Sequence, residues 1–185
     1  MAQPSSILLL HGLHGSGEGS VKLLEQALRQ RGWDQGTYLR PTLNSVNHPE
    51  PGKPMDRVFV QAWDELNSLL GGRIPHLTVG FSFGGGLAPL TASPLRLSVC
   101  SPLARVPADI MTRISSRPGW RVLQGGRDEV VPAEENLAAL PDRIPRTLDP
   151  EGTHEFDEWM DRIADWIIGC WQEHPLGPAG AQDAQ

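Results

Sequence analysis

Ser82 stands in the run Gly80-Phe81-Ser82-Phe83-Gly84, with Leu77-Thr78-Val79 before it and Gly85-Gly86-Leu87-Ala88 after it. The apolar residues predict a strand, and the glycines beyond them predict a sharp turn into a helix. A serine at such a turn takes a strained backbone conformation, and flanking glycines let strand and helix approach closely enough to hold it there. The hydroxyl is lifted off the sheet. The Phe83 amide falls at the helix N-terminus, with no partner inside the helix, where it can face developing negative charge. This is the geometry of a nucleophile elbow. In a chain with 20 glycines the five-residue pattern is weak alone, so its weight comes from the segments that accompany it.

Gly125-Gly126-Arg127-Asp128-Glu129-Val130-Val131-Pro132 comes after another predicted strand and offers an acid just beyond it. A carboxylate so placed can hold an imidazole in the tautomer that accepts a serine proton. Asp128 is the preferred acid, with Glu129 and Asp109 as alternatives, and a plain turn or cap role is the ordinary one for an Asp here. Downstream, Glu151-Gly152-Thr153-His154-Glu155-Phe156 puts His154, one of six histidines, in a strand-to-helix loop, where it is predicted as general base. Upstream, Leu10-His11-Gly12-Leu13-His14-Gly15-Ser16 closes the first predicted strand. Its glycines let the backbone turn beneath the sheet edge, so that the Leu13 amide joins that of Phe83 in an oxyanion site. Preset donors of this kind each contribute roughly 3 kcal/mol of transition-state stabilisation. His11 is expected to brace the loop, and His14 and Phe81 to touch substrate. His48, His76 and His174 read as ordinary loop or tail residues.

The Gly-rich loop matches neither a dinucleotide fingerprint nor a P-loop, which disfavours nucleotide binding, and no compact metal-ligand motif occurs, so no cofactor is expected. With a net charge of −6 and no Lys/Arg cluster, nucleic acid is an unfavourable partner. The apolar run at residues 7–10 is far too short for a membrane span or signal peptide, and the mature chain is expected to start near Met1. Its two cysteines, Cys100 and Cys170, read as buried free thiols, which suits the cytoplasm.

The elements that must position these residues alternate along the chain. Strands are predicted at 6–11, 37–40, 77–81, 97–101, 121–124 and 146–149, interleaved with helical periodicity, the pattern of a parallel sheet covered on both faces. Helices are expected around residues 21–28, after Pro54 up to Gly71, around 107–114, from Pro132 to before Pro141, and over 155–171. In the last, Trp159, Trp166 and Trp171 share one apolar stripe and are read as core. Pro89, close behind the elbow, should shorten or kink its helix. The Pro- and Asn-rich stretch 41–54 is the long irregular segment, of a kind that often lines a binding site. A length of 185 residues suits one α/β domain over 1–174, with 175–185 read as a disordered tail.

Together the motifs, from residue 6 to 171, make the chain resemble a small member of the α/β-hydrolase superfamily, close in style to compact bacterial carboxylesterases. His11-Gly12-Leu13 resembles the oxyanion loop, Gly80 to Gly84 the elbow, Gly126-Arg127-Asp128 the acid turn and Gly152-Thr153-His154 the histidine loop. The resemblance implies a three-layer α/β/α sandwich, trimmed here to a mostly parallel sheet of about six strands, with no cap domain in the short span 100–119. It also implies a small-molecule ester or thioester substrate attacked by Ser82. A serine at the elbow argues against the dehalogenase, epoxide hydrolase and dienelactone branches. The rival of another class is a non-hydrolytic ligand-binding or interaction module on the same fold.

Overall fold

The computed structural model describes residues 3–106 and 108–175. Its centre is a six-stranded sheet in the order β2-β1-β3-β4-β5-β6, with every neighbouring pair parallel. The strands are β1 (Ser6–Leu10), β2 (Thr37–Leu39), β3 (Leu77–Phe81), β4 (Leu95–Val99), β5 (Trp120–Gly125) and β6 (Arg146–Asp149). Side chains alternate across the sheet, so each central strand feeds two cores. Ile7 and Leu9 face one layer, where α1 (Ser20–Gln30) and α7 (Met160–Gln172) pack. Leu8 and Leu10 face the other, covered by α2 (Asn44–Asn47), α3 (Met55–Leu70) and α5 (Ala108–Ser115). Two short helices, α4 (Phe83–Leu87) and α6 (Ala133–Ala138), succeed the elbow and the acid turn.

Strand β4 starts two residues earlier than the sequence pattern predicts. Pairing with β3 draws Leu95 into register with Leu77, and the strand ends where Cys100 takes φ 45°. Helix α4 is cut to five residues and passes into a 3-10 turn, Ala88–Leu90, as Pro89 requires. The final helix opens with a 3-10 turn, Phe156–Trp159, before α7. Trp159 and Trp171 are buried in the core, while Trp166 is half-buried against it. The stretch 41–54 is less irregular than expected, because Glu65 of α3 accepts the amides of Asn44 and Ser45 at 2.7 and 3.1 Å and so caps α2. Apart from the exposed Pro175, the predicted tail lies outside the described residues. No helix among the described residues is long and apolar enough to cross a membrane.

Candidate active site

β1 and β3 are neighbours, with Leu10 opposite Gly80, so the loops at their ends meet at the C-terminal edge of the sheet. Ser82 has φ 48° and ψ −119°, a conformation open to a non-glycine residue only under strain, costing about 1–3 kcal/mol. The elbow can close only because its glycines lack side chains. A Cβ on Gly80 would stand 2.2 Å from the Gly84 carbonyl oxygen, and one on Gly84 would stand 2.6 Å from the carbonyls of Leu10 and His11. From β4, Ser98 Oγ donates to the Gly85 carbonyl at 2.6 Å and accepts the indole N–H of Trp120 at 2.9 Å, tying the turn to the sheet.

His154 bridges Ser82 and Asp128. Its Nε2 lies 3.1 Å from Ser82 Oγ, and its Nδ1 lies 2.9 Å from Asp128 Oδ2. A carboxylate only accepts, so Nδ1 carries the proton and Nε2 is left to accept from the serine hydroxyl. Asp128 Oδ1 is held by the amides of Val130 and Val131 at 3.0 and 2.8 Å. Burial pushes the Asp128 carboxyl up, but the hydrogen bonds from His154 and Val131 outweigh it and hold the pKa below the ordinary aspartate value. Glu129 and Asp109, the alternative acids, are both exposed, and neither bonds His154.

His11 orders the loop after β1. Burial lowers its pKa, which favours the neutral ring. Its Nδ1–H donates to the Gly12 carbonyl at 2.8 Å, while Nε2 accepts the Leu43 amide at 2.9 Å. Because a peptide unit is planar and trans, fixing the Gly12 carbonyl also fixes the opposite direction of the Leu13 N–H. Among the described residues neither the Leu13 nor the Phe83 amide has a hydrogen-bond acceptor. Gly12 packs against Ser82, since a Cβ there would approach the serine Cβ to 3.1 Å.

These observations decide the fold, and comparison with solved structures agrees. The chain has the α/β-hydrolase fold. By sequence, no protein-family model and no curated protein matches it. By structure, it is similar to an alpha-beta serine hydrolase homologue from Coxiella burnetii, with 17% identity over 91% of this chain and 86% of that one and a TM-score of 0.65. It is similar to the ydeN gene product of B. subtilis, with 15% identity over 91% of this chain and 100% of that one and a TM-score of 0.66. A meta-cleavage product hydrolase from Pseudomonas fluorescens matches at 16% identity, 94% and 92% coverage, and a TM-score of 0.66.

On this α/β-hydrolase fold two cavities meet at Ser82, His154 and Leu13. The larger, about 350 Å³, has apolar walls from Phe59, Phe83, Val106, Val130 and Val131. The smaller, about 270 Å³, is lined by Ser16, Ser20 and Glu155 among others. Phe81 lines the smaller one from the core, its ring 4.6 Å from that of Phe156. His14 departs from expectation. It takes φ 59°, its amide is tied to the Val46 carbonyl at 3.0 Å, and its exposed side chain lines neither of these cavities. The stretch 41–54 lines neither as well. It supports the site from behind through Leu43 and Val46.

Residues without a local sequence signal complete the frame. Asn136 of α6 accepts the Leu103 amide at 2.7 Å and donates to Gln124 at 2.8 Å, and Gln124 donates to the Val131 carbonyl at 2.9 Å. This buried network joins the wall of the larger cavity to the acid turn. Cys100 also packs there, its sulfur accepting the Gly125 amide at 3.2 Å, and burial with the nearby Asp128 charge pushes its thiol pKa up. It is a neutral packing group, not a nucleophile.

Proposed function

We propose that the protein is a serine hydrolase that cleaves a carboxylic ester or thioester through an acyl-enzyme. The observation that carries this reading is the continuous hydrogen-bonded line from Ser82 through His154 to Asp128, at 3.1 and 2.9 Å. Ser82 Oγ attacks the carbonyl carbon as its proton passes to His154 Nε2, and Asp128 stabilises the imidazolium that forms. The negative oxygen is received by the Leu13 and Phe83 amides. His154 then protonates the departing alcohol or thiol, deprotonates a water, and that water releases the acid from Ser82. The apolar chamber suits the hydrocarbon part of the substrate. The same reading puts the protein in the cytoplasm, where Cys100 and Cys170, both free and buried, stay reduced.

Treatment with a small fluorophosphonate, then mass-spectrometric location of the adduct, tests the reading. The expected result is one adduct on Ser82 in the wild type and none in Ser82→Ala or His154→Ala. A folded wild-type protein that takes no label would overturn catalysis and favour the ligand-binding module.

In the same reading His11 is a positioning residue, acting through the Gly12–Leu13 peptide. His11→Ala is expected to lower kcat by up to about a hundredfold, the scale of one lost oxyanion donor, with KM nearly unchanged. Steady-state kinetics on a soluble ester measure the split. A change confined to KM would mean that His11 shapes binding and not the oxyanion site.

A further inference from the structure

At the opposite edge of the sheet, where β4, β5 and β6 begin, lies a cavity of about 910 Å³ whose walls are rich in arginine. Arg96, Arg117, Arg121 and Arg143 all line it, and among the described residues that line it none is Asp or Glu. This is unusual on a chain with a net charge of −6. Arg121 is paired with Glu173, but among the described residues the other three have no carboxylate partner. Each is anchored by part of its guanidinium to backbone. Arg96 donates to the Pro118 carbonyl, Arg117 to those of Leu90 and Thr91 at 3.1 and 3.4 Å, and Arg143 to that of Ser115 at 2.9 Å.

Arg143 also donates to Ser115 Oγ at 3.4 Å, and these anchors hold the forks in place while leaving other N–H groups of the same guanidinium planes without an acceptor among the described residues. Arg96 is the telling member. It is only 4% exposed, and its Nε is buried with no hydrogen-bond partner among the described residues. A buried guanidinium without a counter-charge is costly, and burial together with the charge of Arg117 pushes its pKa down. An anion in the cavity would relieve that cost. Arginine forks match the oxygens of phosphate and carboxylate, and a pyrophosphate or phosphate ester gathers several anionic oxygens on adjacent atoms, so that neighbouring forks share one ligand. The volume is that of a small-molecule site.

We propose that this cavity binds a small phosphate-bearing anion at a site separate from Ser82. The site uses Arg96 as its buried floor and Arg117 and Arg143 as its exposed rim. Calorimetric titration of the full chain with inorganic pyrophosphate, at ionic strength held constant with sodium chloride, tests it. Binding by the wild type that weakens tenfold or more in Arg117→Ala/Arg143→Ala supports the site, that being the scale of a lost charge-assisted hydrogen bond. Arg117→Ala alone, should the double variant not fold, carries the same expectation at smaller size. No binding to the wild type overturns the proposal, as does equal affinity in the folded variant. Binding of citrate but not pyrophosphate also overturns it, because the ligand would then be a carboxylate. None of these outcomes depends on hydrolase activity.

Discussion

Asp128→Asn is expected to lower kcat by about ten-thousandfold while the protein stays folded. The position of one proton is responsible. Asp128 is an acceptor on both oxygens, with Oδ1 taking the Val130 and Val131 amides and Oδ2 taking His154 Nδ1–H. An asparagine can keep its carbonyl oxygen on the two amides, which leaves its NH₂ group facing Nδ1. The imidazole must then move its proton to Nε2, and Nε2 ceases to be an acceptor for Ser82. The fold keeps its turn and the site loses its base. Glu129→Gln and Asp109→Asn, both at exposed positions, should leave kcat within about threefold. Steady-state rates on a chromogenic ester, with circular dichroism on each variant, measure all three. A large loss in Asp109→Asn with little in Asp128→Asn would move the acid to the segment after β4.

The second large effect is on stability. Gly84→Ala places a methyl group 2.6 Å from the carbonyl oxygens of Leu10 and His11 and 2.7 Å from the Leu10 carbonyl carbon. All three atoms are backbone at the end of β1, a strand held between β2 and β3, so no side chain can swing aside. Relief requires β1 and the elbow to separate, which costs more than about 3 kcal/mol and lowers the melting temperature by on the order of ten degrees. The displacement would also carry off the Leu13 amide. Gly169 of α7 is the control, because a Cβ there meets nothing within 4 Å. Gly169→Ala should be neutral or stabilise by up to about 1 kcal/mol, the difference in helix propensity. Thermal melts of the two variants decide the matter. Similar melting temperatures would mean that the elbow is not tightly closed.

What the sequence made legible was what local pattern encodes. The unbroken apolar run Ile7-Leu8-Leu9-Leu10 marks a strand between two apolar layers, and glycines at 80 and 84 mark a turn where backbones touch. Pro89 announced the short elbow helix. The frame around the site was less readable, because its partners are distant in the chain and carry no periodicity. Glu65 caps a helix some twenty residues upstream. Asn136 holds the Leu103 amide across 33 residues of chain, and Leu43 meets His11 across 32. His14 shows the reverse limit. Its place beside the oxyanion loop suggested contact with substrate, but the backbone turns at that residue and leaves its side chain on the surface.

The positive φ at Ser82 has an evolutionary side. A folded chain ordinarily gains stability when a strained residue gives way to glycine, so the residue whose loss would most directly relax this turn is the one carrying the hydroxyl. Selection for heat resistance alone would therefore tend to replace Ser82, and under the function proposed above it is selection for turnover that would keep a serine in that conformation.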